Sequence, residues 1–123
     1  MERIDQPEGS NLCGQACVAM LLGISLEEAT GRVKHRGCTN WKMLRRALVA
    51  GGLACGEQLY RVTARRQVPD LALCHVRFGR GRVTHWIVME RGMVYDPDPW
   101  TARGGGNALS HWGRITSFME VRR

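Results

Sequence analysis

From Cys13 to Leu22 nearly every position is apolar or small, and Gly23 ends the run. A helix that is apolar on all sides belongs in the centre of a domain, so this segment is expected to be the core helix. Ser25-Leu-Glu-Glu28 follows with the spacing of a capping box, which predicts a second helix running to about Val33. Asn40 is placed to cap a third over Trp41 to Ala50, with Gly51 as its stop. Trp41, Leu44, Ala47 and Leu48 make the apolar face of that helix, and Lys42, Arg45 and Arg46 lie largely opposite. After Gly52 the period changes, and strands are expected at about 53–62, 72–78, 83–90, 93–96 and 115–121. Phe78-Gly-Arg-Gly-Arg-Val83 and Glu90-Arg-Gly-Met93 have the glycines of hairpin turns. Residues 1–12 read as extended, and Gly104-Gly-Gly106 as a loop before the last strand. Helices first and strands afterwards indicate one α+β domain over 1–123, with helices packed on a C-terminal antiparallel sheet.

Composition adds limits. Hydrophobic residues make up 44% of the 123 residues and charged residues 24%, as in an ordinary globular protein. The longest apolar run, Ala16 to Leu22, falls far short of the roughly 20 residues that cross a bilayer. The N-terminus carries charges with no apolar stretch behind them, so the expected location is cytoplasmic, away from membranes. Five cysteines, an odd number without a secretory signal, are expected to be free thiols. The net charge of +7 permits an acidic partner such as nucleic acid, but no block of five basic residues and no interleaved aromatics appear, so a basic solvated surface suffices.

The candidate chemistry centres on Cys13. A thiol reacts as thiolate, and a helix N-terminus stabilises that anion. Cys13 stands where the extended segment turns into the core helix, and Gly14 is expected to leave open space beside its sulfur. Cys17, one turn further in among Ala16, Val18 and Ala19, is expected to be buried and inert. Gln6 lies close enough in sequence to fold back as an oxyanion donor beside the Cys13 N–H; alternatively it is an exposed polar residue before Pro7.

Among the four histidines, His85 occupies the most convincing strand, with Ile87 and Met89 on its face, and so needs a polar partner. If Arg91-Gly92 is a two-residue turn, Glu90 faces Met93, Ile87 faces Asp96, and Asp96 is diagonal to His85 at roughly 7–8 Å between backbones. A carboxylate there would orient the imidazole. A one-residue slip would send it to the other face. Asp98 is the second candidate, though Pro97 and Pro99 should turn it away. A structural His–Asp pair inside a sheet is the competing explanation. His35, His75 and His111 have poorer surroundings.

Gln6, Cys13-Gly-Gln-Ala-Cys-Val-Ala-Met20, His85-Trp-Ile-Val88 and Tyr95-Asp-Pro97 together resemble the papain-like double-glycine (bacteriocin-processing) cysteine peptidases and their stand-alone relatives. The resemblance covers 6–24 and 83–97 and only the general layout between. It implies a papain-like fold and a cysteine peptidase with Cys13 as nucleophile, His85 as base and acid, Asp96 as orienter and Gln6 as oxyanion donor. The partner it implies is a peptide or protein substrate, with no cofactor. Gln6 stands one residue further from the cysteine than in relatives. No transporter segments follow, so a leader peptide ending in Gly-Gly is not assumed as substrate.

Two other readings compete. Cys13, Cys17, His35 and Cys38 have the residue types of a Cys₃His zinc site. The chain also fits a papain-like scaffold that works by contact, as a phage or mobile-element effector binding a host protein or nucleic acid. Substrate pockets are expected from loops 35–40, 65–70 and 98–113, with Trp100, Trp112 and the triglycine as a possible cleft wall.

Overall fold

A computed structural model of the chain describes residues 1–78, 83–98 and 115–123. Three helices precede the strands: α1 (Cys13–Leu22), α2 (Leu26–Val33) and α3 (Trp41–Ala50). The strands are β1 (Ala54–Cys55), β2 (Tyr60–Arg61), β3 (Leu71–Phe78), β4 (Val83–Glu90), β5 (Met93–Tyr95) and β6 (Ile115–Arg122). They form an antiparallel sheet in the order β1-β6-β3-β4-β5, and β2 also pairs with β6. The expected α+β architecture is therefore present. The triglycine loop, the β3–β4 turn residues, His111, Trp100 and Trp112 lie outside the described residues.

The helix signals act as local chemistry requires. Ser25 Oγ accepts the Glu28 N–H at 3.0 Å, and Asn40 Oδ1 accepts that of Met43 at 3.0 Å. Gly23 ends α1 in the left-handed region, its N–H bonded to the Ala19 carbonyl at 2.9 Å. Gly14 to Leu21 are all buried, the outcome expected of an all-round apolar helix. The helices share a core with one face of the sheet, through Leu73, Trp86, Val88, Met119 and Val121. The other face buries Cys74, Val76, Ile87, Met89 and Phe118 under Tyr60, Val62 and Val68. No helix among the described residues is long and apolar enough to cross a membrane.

One strand expectation needs correction. The segment expected as a single strand over 53–62 is two short ones, β1 and β2, parted by 56–59. Cys55 faces Val121 and Tyr60 faces Phe118, so five steps on one side are matched by three on β6. The surplus has to leave the ladder. Arg45 of α3 donates to the Gly56 carbonyl within that break at 2.8 Å.

Gly14 also differs from expectation. A Cβ there would collide with Thr39 Oγ1 and meet the Leu44 methyls at 3.0 and 3.1 Å, so its space is taken by the start of α3. At the other end of the pair, a Cβ on Gly51 would meet Leu22 at 2.5 Å. Absent side chains thus let α1 and α3 close on each other at both ends. Because Leu44 is fully buried and cannot yield, Gly14→Ala should lower stability by about 1–3 kcal/mol, less what alanine returns in helix propensity. Gly31→Ala, in α2 with nothing within 4 Å, should raise stability by up to about 1 kcal/mol. Urea unfolding of both variants beside the parent checks the contrast.

Candidate active site

The hairpin between β4 and β5 sets the geometry. Arg91 and Gly92 both have positive φ, at 51° and 80°, as a type I′ turn demands. Glu90 faces Met93, Met89 faces Val94 and Val88 faces Tyr95. Continued by one residue, this register brings Asp96 onto the face of Ile87 and His85, as the two-residue turn predicted. His85 Nε2 and Asp96 Oδ1 are 2.6 Å apart, with the two side chains only 6% and 1% exposed. The backbone N–H of Asp98 donates to the same carboxylate oxygen at 2.7 Å. Asp98 therefore supports Asp96 through its main chain. Two donors on one oxygen hold the buried carboxylate in a single orientation.

Burial by itself would lower the pKa of His85. Hydrogen bonds to Asp96 and to Cys13, and the charges of both, outweigh it and raise the value from 6.5 to about 9. Cys13 is half-buried at the first position of α1, which packs against β4. The side chain of Leu12, before it, caps none of the helix N–H groups. Cys17 is fully buried, and desolvation, reinforced by Cys13, Asp96 and Cys74, raises its thiol far above the ordinary value. Burial pushes Cys74 and Cys55 in the same direction. Cys38 is exposed on the loop before α3.

Gln6 is buried rather than exposed, at 7%. Its backbone N–H donates to the Pro97 carbonyl at 2.7 Å, joining the N-terminal segment to the residue after Asp96. Its side-chain Nε2 donates to the Ser10 carbonyl at 2.8 Å, which shapes the turn leading to Cys13. The Gln6 amide is thus partly committed to the chain itself.

Two residues of the neighbourhood are not singled out from the sequence. Gln15, fully buried, donates from Nε2 to the carbonyls of His35 at 2.9 Å and Gly37 at 3.0 Å, fixing the 35–39 loop beside α1. Thr39 accepts the Trp86 indole N–H at its carbonyl at 3.4 Å and lies against Gly14. A glutamine inside an apolar run was the available clue to the first, since a buried amide requires partners. Among the described residues no three histidine, cysteine or carboxylate side chains gather at metal-binding distance. Cys17 inside the core and Cys38 on the surface do not form half of one site.

The raised His85 pKa predicts a pH dependence with a definite sign. Its stabilisation is complete below pH 6.5 and is lost as pH rises through about 9. Unfolding free energy should therefore fall, by about 3 kcal/mol, as pH increases across that window. Asp96→Asn should flatten most of this slope in urea titrations at each end of the window; an unchanged slope would contradict the assignment. No protein-family model matches the chain, and no curated protein matches it.

Proposed function

We propose that the chain is a papain-like thiol hydrolase or acyltransferase that cleaves a peptide or related amide bond, with Cys13, His85 and Asp96 as its reacting and orienting groups. The observation that carries this reading is a buried His85 that is bonded to the Asp96 carboxylate at 2.6 Å and also to Cys13 at the start of α1. A buried structural His–Asp pair accounts for the first contact but not for a thiol at a helix N-terminus on the same imidazole. Near neutral pH His85 is the imidazolium, the counter-ion a reactive thiolate needs.

In this mechanism Asp96 holds Nε2, and Nδ1 serves the sulfur. Cys13 Sγ attacks the substrate carbonyl carbon, and the developing oxyanion takes hydrogen bonds from the Cys13 backbone N–H and from the Gln6 amide proton that does not hold the Ser10 carbonyl. The C–N bond breaks as His85 gives its proton to the departing amine, leaving a thioester. Water, or an acceptor amine, then adds to the thioester carbon while His85 removes its proton. The C–S bond breaks, and the thiolate and imidazolium are restored. First-turn N–H groups left uncapped by Leu12 favour negative charge at this end of α1.

The test compares Cys13 with Cys38, which is the more exposed of the two. An ordinary exposed thiol is only a few per cent thiolate at neutral pH, so iodoacetamide should label Cys13 about tenfold faster than Cys38. His85→Ala should reduce Cys13 labelling to the Cys38 rate or below, read by peptide mass spectrometry. Cys38 labelling ahead of Cys13 in the parent protein would sink the proposal. Cys13→Ala with full biological activity would favour instead a scaffold acting by contact.

A further inference from the structure

On the helix-facing side of the sheet, cross-strand neighbours form a row that the proposed chemistry does not use. Arg61 of β2 faces Ser117 of β6, Ser117 faces His75 of β3, and His75 faces Trp86 of β4. The His75 and Trp86 rings lie 4.6 Å apart between centroids. Arg77, two residues beyond His75, projects from the same face. The β3–β6 ladder shifts register between His75 and Val76, and the extra residue, Thr116, donates its hydroxyl to the His75 carbonyl at 3.1 Å. A bulge commonly re-aims side chains beside a site. Here it accompanies an open pocket of about 570 Å³ lined by Arg61, His75, Arg77, Thr116 and Ser117, with Leu59, Val62 and Ile115 as apolar wall.

Among the described residues, no carboxylate pairs with its arginines, and Arg61 and Arg77 are both exposed. Burial, together with Arg77 and His85, lowers the pKa of His75, so the positive charge comes from the arginines and the imidazole remains a neutral hydrogen-bonding group. Two guanidinium forks, the Ser117 hydroxyl and an apolar wall fit a carboxylate on a short aliphatic stem. A nucleic-acid strand fits less well, because the one aromatic side chain at the row, Trp86, is 6% exposed and offers no stacking surface. Through the Trp86 ring beside it, His75 of the pocket is also linked to the start of α1. Trp86 bonds the Thr39 carbonyl, and Thr39 lies against Gly14, the residue after Cys13.

We infer that the pocket lined by Arg61, His75, Arg77, Thr116 and Ser117 is a carboxylate subsite that holds an Asp or Glu side chain of the peptide whose amide bond lies at Cys13. This rests on the peptidase reading for the occupant, but its own measurement is binding rather than turnover. The probes are two fluorescein-labelled pools of short random peptides, one containing Asp and Glu and the other Asn and Gln in their place. Anisotropy with the Cys13→Ala protein should show the acidic pool binding about tenfold more tightly, the worth of one charge-assisted pair. Arg61→Gln/Arg77→Gln should bring the two pools within about twofold, and Arg77→Gln alone should remove part of the preference. Iodoacetamide labelling of Cys13 and the urea midpoint should stay unchanged, since both arginines are exposed. Equal binding of the two pools, or a preference that survives the double variant, overturns the subsite. So does a single-stranded oligonucleotide that binds more tightly than the acidic pool and is lost in the same variant. Selective acidic binding with an unreactive Cys13 would overturn only the peptidase reading, and a reactive Cys13 without acidic preference only the subsite.

Discussion

The register of one hairpin fixes the position of a buried charge. With Glu90 opposite Met93, Asp96 reaches His85; shifted by a single residue, the carboxylate would face away and His85 would be buried without it. Burying a charge is costly, and a carboxylate only 1% exposed persists because His85 and the Asp98 N–H satisfy it. The left-handed Arg91-Gly92 turn, the β4–β5 ladder and the electrostatics of His85 are therefore one coupled feature. Turn chemistry on the surface determines proton affinity in the interior.

The second constraint is contact between α1 and its surroundings. Small residues let the helix approach α3 closely, and a fully buried glutamine ties its first turn to the 35–39 loop. Hydrogen-bonding a glutamine inside the core restricts alternatives, because a displaced loop would leave the amide donors unpaired. Thr39 then links that loop to Trp86 on β4. The position of Cys13 is thus set by helix–helix contact on one side and by the sheet on the other, while Gln6 ties the preceding segment to Pro97.

The sequence was most legible where structure is local. The Ser25 and Asn40 caps, the Gly23 and Gly51 stops and the Arg91-Gly92 turn carry their physics in adjacent residues, and the helix limits followed. The His85–Asp96 pair was legible because a two-residue turn propagates its register with no further information. The broken 53–62 segment was not, since its interruption lies in the mismatch with β6. Gly14 suggested an opening, whereas distant Thr39 and Leu44 fill it. Gln15 could be flagged as a polar residue in an apolar run, but its partners at 35 and 37 depend on how the helices pack.

Cys13 opens the first helix, and His85 lies on a central strand much later in the chain, with the whole helical layer and β3 between them. Contacts of such high sequence separation are costly to close and are made only when the intervening elements have docked. A growing or partly folded chain therefore carries Cys13 without its imidazole neighbour. Assembly of the sheet is what places the two side by side, so their meeting is timed by the fold as a whole.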